Sequence, residues 1–423
     1  MGSFDWGIFA LLTAITVFIV SSVFKYVRDY RARWTIFVCM ASVFMYSGVG
    51  IAYPEVNNSY VISFAAFVLA FCLPFRWFNI TNNSEELSNV DVCLLNNFKT
   101  LEKVAVFYLF LQLVPSIYPE FRLFQPFTVR DDYWGTMEYL KNDPINKIAG
   151  TLSMLIKPFF YAYLVCYVMK NPKGKKHLIF FLLVILLHYL ELHYIARNSI
   201  ATSLTEFLVL AFCLKGNRIE IKRKHLVIFA CIILALFPLA FVYKLMVTGM
   251  DFQNLGISYG EMASLLAEQE FTYPRYYDGI LSSNRYNNFT VLSFLLYVIC
   301  IPIPSFLWPG KPSLGFADAF TNGVLGLSRG DTGFYIVLPS AMGESLMVGG
   351  LWFSWIFALI SGSAIAIVTR YISKHTTLIY YLFYLVVQCA TYGRGGTAGL
   401  LPTYITGILG FFLFDMYIRK VRK

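Results

Sequence analysis

Charge is what this chain has least of. Only 14% of its 423 residues are Asp, Glu, Lys or Arg, against roughly 25% in a soluble domain. No hydrophilic stretch is long enough to make a separate water-soluble domain, so we expect one membrane domain over 1–423. The eight cysteines lie mostly in apolar segments, and no CxxC or other metal-ligand spacing occurs, so they neither demand nor exclude a disulfide. HExxH and paired outer-face DxD signatures are also missing. The first apolar run, from Ile8 to Val23, has no basic n-region and no small-residue cleavage site. It reads as a mature span rather than a leader.

What the chain has instead is apolar surface: 58% of its residues are hydrophobic. A bilayer core takes about 20 apolar residues per helix. That rule predicts an all-α, polytopic fold with eleven spans, at 7–24, 35–53, 60–77, 103–118, 149–169, 178–195, 198–214, 226–246, 347–369, 378–393 and 399–418. Five connections hold more than half of the 34 lysines and arginines, at 25–33, 170–176, 215–224, 370–374 and 419–423. Alternation puts all five on one side, which the positive-inside rule makes cytoplasmic. The N-terminus is then outside and the C-terminus inside. The net charge of +10 is thereby a matter of topology, with no need for nucleic acid. Residues 289–308 are long enough to span, but doing so would invert the last two basic rims. Pro302 and Pro304 interrupt the run, which reads as an interfacial or re-entrant helix.

The long external loop, 247–346, carries Arg275, Arg285, Lys311 and Arg329 against eight carboxylates. Its stretch FTYPRYYDGILSSNRYNNF suits stacking on sugar rings, and equally suits a loop lying on the membrane surface. Cations recur near the outer ends of predicted spans: Lys157, Arg197, Lys244 and Arg394. Charges at that depth line cavities or snorkel to the interface. Arginine is the better phosphate ligand because its planar fork makes paired bonds. Arg197 sits in the tight turn HYIARNS, and Arg394 in YGRGGTAG, whose glycines allow close approach. Ser199, Thr202, Ser203 and Glu206 share one face of the seventh span, a pattern that interhelical hydrogen bonding also explains. Glu191 and His193 lie just before the Arg197 turn.

The stretch IPIPSFLWPGKP at 301–312 resembles the bacterial O-antigen polymerases (Wzy-type, oligosaccharide repeat unit polymerases). So do the arginine in the Arg197 turn and the acidic residue before a glycine pair, Gly343-Glu344 through Gly349-Gly350. The resemblance implies a GT-C-like fold with a large periplasmic loop, in a bacterial inner membrane. It implies an enzyme acting on undecaprenyl-diphosphate-linked oligosaccharides, without cofactor or metal, with a chain-length regulator as a possible protein partner. Arg197, Arg275, Arg285, Arg329, Arg394, Lys244 and Lys311 are the candidate substrate-binding cations. Glu344 is the candidate base, with Asp331 second. A first-turn helix cap and a turn carboxylate are the structural alternatives for these two. O-antigen ligases are similar but are expected to use a loop histidine. The five histidines here all lie outside 247–346. A transporter of lipid-linked glycans is the competing class, though no internal repeat is visible in the sequence.

Overall fold

A computed structural model describes residues 4–27, 30–78, 98–114, 143–170, 182–187, 273–282, 290–301, 315–326, 337–374 and 388–422, with a few further positions at 179 and within 303–312. The chain divides into two compact units: 1–84 with 267–405, and 85–266 with 406–423. Among the described residues 87% are helical and none is in a strand. In chain order the helices are α1 (Trp6–Phe24), α2 (Tyr30–Val43), α3 (Val49–Ile51), α4 (Ser59–Trp77), α5 (Phe98–Leu113) and α6 (Pro144–Lys170). They continue as α7 (Tyr277–Ser282), α8 (Val291–Cys300), α9 (Phe316–Leu325), α10 (Ser340–Lys374) and α11 (Tyr392–Arg422). A π-helical turn, Phe44–Gly48, joins α2 to α3, and a 3₁₀ turn, Tyr273–Tyr276, leads into α7.

Among the described residues, four stretches, all in the first unit, are long and apolar enough to cross a membrane: Trp6–Phe24, Ala32–Ile51, Ser59–Trp77 and Ser340–Tyr371. Helix α1 begins where the Asp5 carboxylate accepts the N–H groups of Gly7 and Ile8, two donors that no helical carbonyl can reach. It is apolar around its whole circumference, and Phe18 and Val17 stay exposed. A helix of that kind belongs against lipid. Helix α4 is sided instead. Tyr60, Phe64, Phe67, Phe71 and Phe75 recur at spacings of four, three, four and four, and all are fully buried. Helix α10 comes close to α4 at Gly362, where an added Cβ would collide with the Phe71 carbonyl. Close backbone approach through small residues is how helices gain contact where lipid offers no hydrophobic advantage.

Two helices are broken. Gly350 in α10 has φ 62° and ψ −168°, and Gly396 in α11 has φ 64° and ψ −163°. This region of backbone space is essentially restricted to glycine. Helix α10 therefore starts at Ser340, ahead of the span expected at 347–369, and breaks within that span. Helix α8 has 10 residues and a Thr290–Ser293 capping box. At about 15 Å it is half the thickness of a bilayer core. The expected spans 198–214 and 226–246 lie outside the described residues.

In the second unit α5 and α6 pair. The Gln112 amide donates to the Ser153 hydroxyl across the seam, and the Tyr108 and Phe160 rings meet at 4.9 Å. The part of α11 in this unit comes near enough to α6 that Gly410 faces the Leu155 carbonyl.

Candidate functional site

The site begins with a strained serine. Ser340 opens α10 at φ 67°, where a side chain is rarely found. Its hydroxyl accepts from the Gly343 N–H at 3.2 Å and from the Ser47 hydroxyl at 3.2 Å. It also bonds the Tyr277 hydroxyl at 2.9 Å. Ser47 reaches it from the π-helical turn, an irregularity common at functional sites. Burial pushes the Tyr277 phenol up to about 12, so it stays protonated near neutrality. Gly343 matters for a local reason. The Tyr277 ring edge would lie 3.2 Å from any Cβ placed there.

One turn further along α10, Glu344 is 3% exposed. Its Oε2 accepts the Thr397 N–H at 2.5 Å, and its Oε1 accepts the Ala398 N–H at 2.9 Å. These are the first two residues after the Gly396 break. Their N–H groups point off the start of a helix, and the positive end of that helix favours a carboxylate. Gly396 allows the contact, since a Cβ there would strike the carboxylate oxygen. Glu344 thus caps a helix, but a different one from its own.

The same segment is held on its other side. Ser42 of α2 donates to the Ala390 carbonyl at 2.6 Å and accepts from the Gly393 N–H at 3.0 Å. Gly393 lies so close to the Ser42 backbone that it has no room for a Cβ. Arg394 lies between these two clamps and is half-buried. Hydroxyls complete the surroundings. Ser361 and Thr397 bond each other at 2.9 Å, and the Tyr297 hydroxyl of α8 donates to the Ala398 carbonyl at 3.3 Å.

Of the residues expected from sequence, the structure brings Glu344 and Arg394 into one neighbourhood. Arg275 lies elsewhere in the same unit, paired with Glu55 at 3.1 Å and set 4.9 Å from the centre of the Tyr53 ring. Lys311 donates to the Ile303 carbonyl at 2.8 Å, and its own N–H closes a turn onto the Trp308 carbonyl. Lys311 thus ties itself to Trp308 and Ile303. Lys157 stands midway along α6. Arg197, Lys244, Arg285, Arg329 and Asp331 lie outside the described residues, as do Glu191, His193, Ser199, Thr202, Ser203 and Glu206. Sequence reasoning missed Ser42, Ser47, Ser340, Ser361, Thr397 and the role of Tyr277. A hydroxyl beside a glycine was the available signal for Ser47, Ser361 and Thr397. Among the described residues no group of three or more His, Cys, Asp or Glu side chains gathers as metal ligands.

Comparison of the chain with protein-family models, curated proteins and solved structures gave no match.

Proposed function

We propose that this chain is a polytopic glycosyltransferase of a bacterial inner membrane that joins undecaprenyl-diphosphate-linked oligosaccharide repeat units on the periplasmic face. In this reading it has about eleven spans, a large periplasmic loop at 247–346, its N-terminus outside and its C-terminus inside. The observation that carries it is the link from Glu344 to Thr397 and Ala398. Resemblance singled out the Gly343-Glu344 element, and charge and depth singled out Arg394. One carboxylate ties the two together.

In the proposed reaction a sugar hydroxyl of one lipid-linked repeat attacks the anomeric carbon of another chain. The bond from that carbon to the diphosphate oxygen breaks, a new glycosidic bond forms, and undecaprenyl diphosphate leaves. Arg394, on a backbone segment clamped at either end, offers standing positive charge where the leaving group gains negative charge. A carboxylate takes the hydroxyl proton. Glu344 is our first assignment, because each oxygen keeps a lone pair beyond its backbone bond, and Asp331 is the second. Arg197, Lys244, Arg285 and Arg329 are further cations of this proposal, and a chain-length regulator is its protein partner.

The breaks at Gly350 and Gly396, with matching backbone angles, favour a second reading. Transporters build mid-membrane sites from such discontinuous helices. Reconstitution of the purified chain in vesicles with undecaprenyl-diphosphate-linked repeat units separates the two. A ladder of lengthened glycans with stoichiometric release of undecaprenyl diphosphate supports the polymerase. Movement of the lipid-linked glycan between leaflets with no lengthening replaces it with a transporter.

A further inference from the structure

A cavity of about 420 Å³ opens where α1 begins, against the turn between α3 and α4; its walls include Phe4, Trp6, Tyr53 and Pro54, with Asp5 and Asn58. The rings brace each other edge to face: Phe4 and Trp6 lie 4.9 Å apart at 71°, and Phe4 and Tyr53 lie 5.2 Å apart at 80°. Such pairing fixes the direction each ring faces. Trp6 is 72% exposed, so its face is open to a ligand. The Asp5 N–H is anchored to the Ala52 carbonyl at 2.8 Å. Its Oδ1 is committed to Gly7 and Ile8. Its Oδ2 and the exposed Asn58 amide have no partner among the described residues.

We propose that this cavity is a sugar subsite holding one pyranose ring of the glycan. The inference rests on the reading of the chain as an enzyme of lipid-linked oligosaccharides. A pyranose has a C–H face that stacks on an aromatic ring and a rim of hydroxyls. A carboxylate only accepts hydrogen bonds, whereas an amide both donates and accepts, so Asp5 and Asn58 together match that rim. The same carboxylate repels phosphate, which excludes the diphosphate end of the substrate and anionic lipid headgroups. An acyl chain has no use for either polar group. Aromatic rings gather at membrane interfaces for their own reasons, but that tendency does not set a carboxylate and an amide around the cavity they enclose.

The cavity also connects to the Glu344 neighbourhood. Tyr53, one of its walls, carries the Arg275 guanidinium on its ring. Arg275 lies in the turn that leads into α7, and α7 lays Tyr277 on Ser340 and Gly343. A sugar in the cavity is thereby placed along one continuous run of contacts from the carboxylate.

The test uses the full chain in a detergent without a sugar headgroup. The probes are methyl glycosides of glucose, galactose, mannose, rhamnose and N-acetylglucosamine. Saturation-transfer NMR reads contact with weakly bound sugars and needs no turnover. The expected result is transfer to the ring C–H protons of at least one glycoside. Trp6→Ala and Asn58→Ala, both at exposed positions and expected to keep the wild-type Tm, should each weaken binding about tenfold, the loss of one good contact. Absence of saturation transfer to every glycoside, or transfer in both cavity variants equal to that of wild type, overturns the subsite. Sugar transfer from a chain that lengthens no glycan in vesicles would instead refute the polymerase and leave the subsite standing.

Discussion

Glu344 and Thr397 are 53 residues apart in sequence, yet the carboxylate of the first accepts the backbone N–H of the second at 2.5 Å, deep inside the first unit. A helix that restarts inside a bundle has N–H groups with no carbonyl to meet, and lipid offers no water in compensation. Glu344 supplies two acceptors at once. The Arg394 segment is held in place as a consequence.

Two variants of Glu344 divide its roles. Glu344→Ala leaves one buried and one part-buried donor unmet, at about 1–3 kcal/mol for a buried one, and should lower the Tm by several degrees. Glu344→Gln keeps one acceptor but turns an NH2 toward the other donor, so a smaller fall is expected. A general base contributes about 10²–10⁴-fold. If Glu344 takes the proton, chain growth by Glu344→Gln falls by that factor even below its melting range. Near-wild-type growth at such temperatures would leave it as a cap alone. Arg394→Lys keeps the charge and loses the fork, so polymer should drop sharply at unchanged Tm.

The two helix breaks give an internal comparison. Alanine at either Gly350 or Gly396 is forced to positive φ, at a cost of about 1–3 kcal/mol. A Cβ at Gly350 meets nothing, whereas one at Gly396 strikes the Glu344 carboxylate. Gly396→Ala should therefore destabilise well beyond Gly350→Ala in thermal unfolding. Equal losses would mean that Glu344 does not cap the second break.

Alkaline titration probes Tyr277. Its phenol ionises at about 12 in the folded chain, against an ordinary 10 when unfolded. The raised value means the folded state keeps its proton longer. The associated stability is whole below pH 10 and is lost as pH climbs to about 12. In denaturant titrations across that window, wild type should lose more stability than Tyr277→Phe. Parallel curves would show that the phenol is not buried as described.

Orientation is open to chemical labelling. In a background without native cysteines, Asn58→Cys should react with a membrane-impermeant thiol reagent in intact cells, and Lys25→Cys should not. Both positions are exposed, so access depends only on the side of the membrane. The reverse pattern would invert the proposed topology.

Helicity and a lipid-compatible surface follow from the order of the residues alone. Scarce charge and apolar runs of bilayer length are properties of composition, legible without any contact. The sequence also marked Glu344 and Arg394 as residues in need of an explanation, since ionisable groups among apolar neighbours are costly. The glycine pairs at 349–350 and 395–396 were visible as letters, but nothing local says that a helix resumes after each. It took the folded arrangement to show that Glu344 caps a distant helix rather than its own, and that Gly343 makes room for Tyr277. That arrangement alone matched Ser42 to Gly393. Those assignments come from which backbone groups lose their helical partners and which side chains packing leaves within reach, and no periodicity along a single helix contains that information.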